Sequence, residues 1–293
     1  MECRGRQMEI TSNNILFMCH NGHLKTLIYV HTSPDRFLDR KELRRYLHRP
    51  PETAVVFMLG KSKNKSLAHL VFQEAEQFED MVIFDAFVDS YRNLTPKSVH
   101  SIRWIQNECG ANPMLRNIVK LDDDVWVNFP MLKSYLHLEI PKRPYRIHCL
   151  VWRRVRVARR PRSKWFVSKV EYGLPYNPPY CGGLAYILPK QLLTVLVNAS
   201  YKVPFFWVDD IYVTGLLARE AHLDHAQIRT YYAFQVNQNI NLTADWEETI
   251  MNAFGATKIM FSHMDTPFLR SLRSFLFQRI NETLLNYTQF TVF

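Results

Sequence analysis

The sequence has no apolar run long enough to cross a membrane, since no stretch reaches the ~18 uninterrupted apolar residues that a transmembrane helix needs. The first residues, Met1 to Arg6, lack the layout of a signal peptide. Internal repeats and low-complexity tracts are also missing. We therefore expect no transmembrane helix in the sequence as written, and we exclude repeat and low-complexity architectures.

Cysteine is scarce, and no CxxC pair or zinc-ligand spacing occurs. The five cysteines predict one or two disulfides with a leftover thiol, and their connectivity stays open. Six Asn-x-Ser/Thr sequons hint at a secretory chain, although each sequon alone is a common chance match. The cysteines are Cys3, Cys19, Cys109, Cys149 and Cys181. The sequons begin at Asn64, Asn93, Asn198, Asn241, Asn281 and Asn286.

Acidic residues are absent from one long stretch, Lys142 to Lys164, which we call the basic segment. It holds ten lysines or arginines, whereas the rest of the chain holds 27 basic and 27 acidic residues. The basic segment thus carries the whole net charge of +10. Such a run suits nucleic acid, an acidic polymer, a phosphate-bearing ligand or a solvated loop. Aromatics are sparse within it and no nucleic-acid-binding signature accompanies it, so we expect no nucleic-acid partner.

The order of apolar patterns predicts an α/β fold. With 47% apolar residues, the chain can bury a large core, as one big α/β domain or two small ones. Short buried-strand patterns alternate with helical spacing, which predicts a mostly parallel central sheet with helices on both faces. Ser66 and Thr95 are the expected N-caps of two helices, the second of which runs to about Cys109. The strand patterns span residues 26–30, 54–59, 81–84 and 118–121.

Three adjacent carboxylates, Asp122, Asp123 and Asp124, follow the last of these strands. Their mutual repulsion makes joint ionisation costly unless a cation or a donor-rich ligand lies among them. In parallel sheets ligands bind beyond the carboxyl ends of the strands, which is where this trio falls. The trio therefore predicts a metal site.

Three further segments carry possible chemistry. Asp85 to Lys97 is a polar strand-to-helix junction, and Tyr176 to Tyr186 contains a glycine pair that permits close backbone approach to a ligand. Phe205 to Tyr212 places two carboxylates after an aromatic run at the start of a predicted helix. Each has a structural alternative: a capped loop, an ordinary turn, and acids favoured by the helix dipole.

Read in order, these segments resemble the β-1,3-galactosyltransferase and β-1,3-N-acetylglucosaminyltransferase family of inverting glycosyltransferases. The resemblance extends from about Val30 to His263, and it depends on the ordered set rather than on one motif. The matching motifs are Phe57-Met58-Leu59-Gly60, Asp89-Ser90-Tyr91, Asn93-Leu94-Thr95, Lys97, Trp104, Lys120, Asp122 to Asn128, Lys164-Trp165, Pro179 to Gly183, and Asp209 to Tyr212.

The resemblance implies a GT-A nucleotide-sugar fold with Mn²⁺ as cofactor and a UDP-sugar as donor substrate, UDP-galactose or a UDP-N-acetylhexosamine. Asp124 and His263 would hold the metal, while Asp122 and Asp123 would meet ribose, sugar or metal-bound water. Asp210 resembles the general base, with the adjacent Asp209 as its alternative. The resemblance further assigns the donor pocket to Asp89, Tyr91, Asn93, Lys97, Gly182 and Gly183.

The implied function is transfer of a sugar, galactose first and N-acetylglucosamine next, in β-1,3 linkage onto a glycan of a glycoprotein or glycolipid. Residues 26–293 would form the catalytic domain, and residues 1–25 an unrelated segment. Such enzymes resemble lumenal Golgi membrane proteins, so membrane association would need an anchor that this sequence lacks. Departures from the family pattern, such as Ala86 in place of an aspartate, keep open the alternative of an inactive binding or chaperone protein. The arginines of the basic segment keep open a second alternative, a basic nucleic-acid-binding protein.

Overall fold

The structure is a computed structural model, and it describes residues 9–11, 13–20, 22–46, 52–229, 232–233 and 259–264. The chain divides into two compact units, and the division falls between Asp122 and Asp123. The first unit comprises Met1–Arg36, Arg49–Asp122 and Pro144–Gln227. The second comprises Phe37–His48, Asp123–Arg143 and Ile228–Phe293. Among the described residues, no helix is both long enough and apolar enough to span a bilayer.

Eleven strands are described, and eight of them form the sheet of the first unit in the order β1-β4-β3-β2-β5-β8-β7-β9. Neighbours from β4 to β5 are parallel, as are β7 and β9, whereas β1 and β8 run antiparallel to their neighbours. The predicted α/β class with a mostly parallel central sheet is confirmed. The strands are β1 (Glu9–Thr11), β2 (Thr26–His31), β3 (Thr53–Lys61), β4 (Met81–Val88), β5 (Asn117–Asp122), β6 (Val125–Val127), β7 (Arg146–Trp152), β8 (Tyr180–Pro189), β9 (Asp224–Gln227), β10 (Tyr232–Ala233) and β11 (Phe261–His263).

The helices lie between the strands, and two of them continue into wider π-helical turns. One such turn, Ile105–Cys109, extends α4 to the end that the sequence predicts. The other, Tyr212–Leu217, joins α7 to α8. The helices are α1 (Asn13–His20), α2 (Phe37–Tyr46), α3 (Lys65–Phe78), α4 (Leu94–Trp104), α5 (Phe129–Leu138), α6 (Leu192–Ala199), α7 (Asp209–Ile211) and α8 (Ala218–Glu220), with 3₁₀ turns at Tyr91–Asn93 and Ile140–Lys142.

Both predicted N-caps are wrong. Helix α3 is capped by Asn64, whose side-chain oxygen accepts from the backbone N–H of Leu67 at 3.2 Å, so Ser66 already lies in the first turn. Helix α4 begins at Leu94, and the hydroxyl of Thr95 donates instead to the Phe206 carbonyl at 2.8 Å. The Thr95 hydroxyl, which the local pattern assigns to a helix cap, is thus used in a hydrogen bond to a residue that is distant in sequence.

The core of the first unit lies against the central strands. All six residues of β2 are buried, and because successive side chains point to opposite faces, both faces of this strand are covered. On one face Leu27 and Tyr29 belong to a cluster that includes Ile102 from α4 and Ile15 from α1. Burying a side chain such as Ile or Leu contributes roughly 1.5–3 kcal/mol. Helix α1 is therefore an integral layer of this unit.

Two disulfides join described elements of the first unit. Cys19 in α1 is bonded to Cys109 at the end of the π-helical turn, across 90 residues of chain. Cys149 in β7 is bonded to Cys181 in β8. The predicted one or two disulfides are therefore confirmed, while Cys3 lies outside the described residues, as do the sequons at Asn241, Asn281 and Asn286.

The second unit holds a small sheet in the order β10-β11-β6. Strand β11 is antiparallel to β6, with His263 opposite Val125. The backbone N–H of Met264 donates to the carbonyl of Asp124 at 2.7 Å, which extends this pairing to the acidic trio. Helix α5 follows β6 and is capped by Asn128, whose side-chain oxygen accepts from Met131 N–H at 3.2 Å.

Candidate active site

The first unit presents a buried lysine beside the first acid of the trio. Lys120 and Asp122 lie two residues apart on β5, so their side chains share one face of the strand. The Lys120 ammonium donates to the Asp122 carboxylate and to the carbonyl of Gly183 on the neighbouring strand β8. Burial acts to lower the pKa of Lys120, but the Asp122 and Asp209 carboxylates outweigh it and raise that pKa above its usual value. Lys120 is therefore a fixed cation.

The acidic pair Asp209–Asp210 opens α7, where the sequence predicts a base. Burial raises the pKa of Asp210 well above its usual value, and repulsion and a hydrogen bond from Asp209 raise it further, while Lys120 opposes the shift. The Ser98 hydroxyl donates to Asp209 at 3.1 Å and so fixes the partner carboxylate. Asp210 therefore binds a proton more readily than an isolated carboxylate would, which suits a group that accepts a proton.

The absence of a side chain at Gly183 leaves space for the Asp210 carboxylate. A Cβ atom at Gly183 would lie 2.8 Å from Asp210 Oδ2 and 3.0 Å from its Cγ, so only a glycine leaves room for the carboxylate. At Gly182 the corresponding atom would meet Trp152 Nε1 at 3.2 Å instead. The glycine pair thus lets Asp210 approach the backbone at Gly183, while the close approach of a ligand there stays a prediction.

Asp89 and Lys97 form a buried ion pair, with their side chains 4% and 2% exposed. Lys97 Nζ lies 2.8 Å from Asp89 Oδ2, and it also donates to the Thr32 carbonyl at 2.5 Å. Asp89 in turn accepts from the Gly60 N–H at 2.6 Å. Protein groups therefore surround both charges, and the pair ties the ends of β2 and β3 to the predicted donor junction.

The other two residues of that junction differ in exposure. The Asn93 side-chain amide donates to the Val88 carbonyl at 2.8 Å, which holds the turn between β4 and α4. Tyr91 is about half exposed; its ring lies 6.4 Å from the Trp207 ring and its hydroxyl is hydrogen-bonded with Trp165. Tyr91 is therefore the accessible member of the predicted donor set.

In the second unit the structure brings Asp124 and His263 together. His263 Nε2 lies 3.2 Å from Asp124 Oδ2, and both side chains are partly exposed, whereas Asp123 is buried. One carboxylate oxygen and one imidazole nitrogen side by side fit Mn²⁺ as a donor set. Within the part of the chain that the structure describes, three or more candidate metal ligands do not cluster anywhere.

Sequence reasoning assigned no role to Lys120, Ser98 or His31. The spacing of Lys120 from Asp122 was the available signal, since alternate residues of a strand share a face. His31 pairs with Asp122 across the β2–β5 register, and its Nε2 lies 3.2 Å from Ser101 Oγ. Burial, then Lys120 and Lys97, hold the pKa of His31 well below its usual value, so this imidazole is neutral.

Comparison with known proteins identifies the family. A family model described as Galactosyltransferase matches residues 40–229, which is more than half of the chain. The chain belongs to the galactosyltransferase family. The matched range contains the acidic trio, the glycine pair and Asp209–Asp210 of this family member, while His263 lies beyond it.

Among curated relatives, this galactosyltransferase-family chain is 31% identical over 163 residues to β-1,3-galactosyltransferase 5 of Pan paniscus, covering 56% of this chain and 52% of that protein. It is 31% identical over 169 residues to β-1,3-galactosyltransferase 1 of Mus musculus and of Homo sapiens, covering 57% of this chain and 50% of those proteins. The chain thus spans about half the length of the curated relatives that it matches.

One solved structure, of a glycosyltransferase involved in the glycosylation of the major capsid of PBCV-1, aligns with 87% of this chain and 99% of its own. The TM-score is 0.39 and the sequence identity 11%, so this likeness carries no argument about fold or function.

Proposed function

We propose that this chain is a UDP-sugar-dependent inverting glycosyltransferase that forms a β-1,3 linkage, with galactose as the first candidate sugar and N-acetylglucosamine as the next. The observation that carries the proposal is the Asp209–Asp210 pair, in which Asp210 lies against Gly183 and has a raised pKa. Membership of the galactosyltransferase family supports the choice of reaction class.

Asp210 is the general base in this proposal, with Asp209 as its alternative. A carboxylate with a raised pKa is a stronger base than an ordinary one, so it takes the proton of an attacking acceptor hydroxyl more readily. Lys120 favours the ionised form of Asp210 and so keeps this carboxylate able to accept that proton. Attack by the hydroxyl in a single in-line displacement inverts the anomeric centre, which gives a β-linked product from an α-linked donor.

Asp124 and His263 would hold Mn²⁺, which when bound stabilises the negative charge that develops on the leaving diphosphate. The carboxylates of Asp122 and Asp123 would contact ribose, sugar or metal-bound water. Lys120 holds Asp122 in place through its ammonium group. The buried Asp89–Lys97 pair fixes the junction that also carries Tyr91 and Asn93 in the proposed donor pocket.

The setting we propose is the lumenal side of the Golgi membrane, with a glycan of a glycoprotein or glycolipid as acceptor. Two disulfides fit an oxidising compartment. Residues 26–293 remain our proposed catalytic domain, in the GT-A form that the family resemblance implies, and β1 and α1 pack with it in the first unit.

The test is incubation with Mn²⁺, an acceptor panel and UDP-galactose, UDP-N-acetylglucosamine or UDP-N-acetylgalactosamine, followed by linkage analysis of the product. Asp210→Asn should abolish transfer and leave UDP binding nearly intact, because the amide cannot take the proton. Asp124→Asn should abolish Mn²⁺-dependent UDP binding. Full transfer by the Asp210→Asn variant would show that the base is elsewhere, and Asp209→Asn then becomes the decisive variant.

A second candidate is a glycosyltransferase-like protein that has lost catalysis and serves as a binding or chaperone partner. One observation favours it: Asp85, beside the departure at Ala86, is exposed and pairs with Lys61 at 3.0 Å, which is the arrangement of a surface ion pair. UDP binding without transfer from any donor in the panel would support this candidate over the enzyme.

A further inference from the structure

Six cations of the basic segment lie on the loop between β7 and β8, are exposed and form no ion pair with any described residue. Other members of the basic segment have protein partners: Lys142 pairs with Glu139 at 2.6 Å and Arg146 with Asp224 at 3.6 Å. The positive charge that distinguishes this chain is therefore concentrated on one loop. We call the six the loop cations: Arg153, Arg154, Arg156, Arg160, Arg162 and Lys164.

This loop has a defined fold. Arg159 fastens it from within, since its guanidinium donates to the carbonyls of Val167, Tyr172 and Leu174 at 2.8, 2.5 and 2.9 Å. The backbone N–H of Val157 donates to Pro175 at 3.0 Å, and the side chains of Val157 and Val167 are buried. Arg159 therefore has a structural role, and the loop that it stabilises presents the six loop cations on an ordered surface.

Exposed aromatic rings accompany these cations. Trp165, Tyr176 and Trp152 are 51%, 44% and 42% exposed. Lys164 Nζ lies 4.5 Å from the Trp165 ring centroid, and the Arg156 guanidinium lies 5.6 Å from that of Tyr176. An exposed ring offers a flat apolar surface to the C–H face of a sugar, and a guanidinium offers paired N–H donors to a carboxylate or sulfate.

The surface is continuous with the acidic pair. Strands β5 and β7 both run antiparallel to β8, so their carboxyl ends, Asp122 and Trp152, lie at the same edge of the sheet. Trp165 is hydrogen-bonded with Tyr91, whose hydroxyl lies close enough to Asp210 for that charge to help raise the Tyr91 pKa, after the larger effect of burial. A ligand on this loop can therefore present a hydroxyl to Asp210.

We propose that the loop cations and Trp165 form an acceptor subsite, and that the acceptor it takes is a glycan bearing a carboxylate or sulfate close to the hydroxyl that is glycosylated. The positive charge of the loop cations favours a ligand that carries an anionic group. Because the surface is continuous with Asp209–Asp210, we favour a glycan acceptor over a nucleic acid as this ligand. The inference rests on the proposed function, because it assigns the substrate class of that same site.

The experiment uses the full chain with Mn²⁺ and three oligosaccharide acceptors of the same length. One is neutral, one has a uronate next to its terminal sugar, and one is sulfated. Binding is measured by titration calorimetry at two salt concentrations, and transfer by initial rates. The test variant is the triple substitution Arg153→Gln, Arg154→Gln and Arg156→Gln. The matched control removes as much charge from the opposite edge of the sheet, by Lys25→Gln, Arg116→Gln and Arg146→Gln, at the starts of β2, β5 and β7.

We expect the wild-type chain to bind at least one anionic acceptor roughly tenfold more tightly than the neutral one, and less so at high salt. The triple variant should raise KM and Kd for that acceptor about tenfold to a hundredfold, with kcat and the KM of the UDP-sugar unchanged, while the control variant behaves as wild type. Preference for the uronate or for the sulfate distinguishes the two anions. Trp165→Ala should weaken neutral and anionic acceptors together.

Equal binding of neutral and anionic glycans by the wild-type chain would overturn the inference, as would an unchanged Kd in the triple variant. Tight, steeply salt-dependent binding of an oligonucleotide that the triple variant loses, without any effect on glycans, would assign the surface to nucleic acid instead and also overturn it. Selective anionic-glycan binding without transfer would uphold the subsite and refute the proposed function alone.

Discussion

Replacing Gly183 with alanine is the sharpest test of how Asp210 is positioned. The added Cβ would lie 2.8 Å from Asp210 Oδ2, whereas ordinary van der Waals contact begins at 3.4 Å. The carboxylate must therefore retreat by about 0.6 Å, the difference between these two distances. A general base works within roughly 2.6–3.2 Å of the proton donor, a window about as wide as that displacement.

We expect Gly183→Ala to lower kcat about tenfold to a hundredfold, since small misplacements of reacting groups have effects of this order. That loss corresponds to about 1.4–2.7 kcal/mol in activation free energy. The assay is initial-rate kinetics at saturating donor, alongside thermal unfolding to show that the variant is folded.

Gly182→Ala is the matched control, because its Cβ would meet Trp152 and Leu150 rather than Asp210. It should keep kcat close to wild type. A Gly183→Ala variant with full kcat would refute the reasoning, and an equal loss in both variants would mean that the glycine pair acts by some route other than the placement of Asp210.

The remaining predictions concern pH, the buried ion pair and glycosylation. Because the Asp210 pKa is raised, the rate of transfer should fall on acidification at a higher pH than an ordinary carboxylate would give. Asp209→Asn removes the neighbouring charge and should therefore move this acidic limb of the kcat–pH profile to lower pH. An acidic limb that does not move would contradict the coupling of Asp209 to Asp210. Lys97→Met leaves Asp89 buried without its cation and should cost about 3–5 kcal/mol in denaturant unfolding, against about 0–1 for Lys61→Met in the exposed pair with Asp85. The Asn93 sequon should stay unmodified in protein from a secretory host, because its amide is bonded to the Val88 carbonyl; a glycan found there by mass spectrometry would contradict this.

The sequence predicts the central strands well, because short runs of apolar β-branched residues between turns rarely form any structure other than a buried strand. The strand over residues 26–30 is observed as β2, and the helix after residue 94 ends where expected, at Cys109. The sequence does not resolve which of two nearby polar residues caps a helix. Asn64 and Ser66 are both good caps, and only the three-dimensional backbone decides between them.

The candidate site is predictable where its residues lie in one segment and unpredictable where contacts cross strands. The trio and the acid pair are visible as carboxylates at element ends. The contact of Lys120 with Gly183 depends on β8 pairing beside β5, and the space beside Gly183 depends on where α7 begins. Helix α1 is a similar case, because its place in the first unit depends on packing and on a disulfide to Cys109 that no local pattern indicates.

The disulfide between Cys149 and Cys181 has a consequence for the acid pair. The pairing of β7 with β8 is irregular here: Cys149 lies opposite Tyr186 and Val151 opposite Cys181, so the register shifts across residues 182–185 of β8. The disulfide joins β8 covalently to β7 at Cys181, two residues before Gly183. A thiol reductant that cleaves the disulfide should therefore allow Gly183 to shift relative to Asp210 while the sheet stays folded. The chain would then lose activity as a redox-sensitive enzyme does, while most of its secondary structure persists.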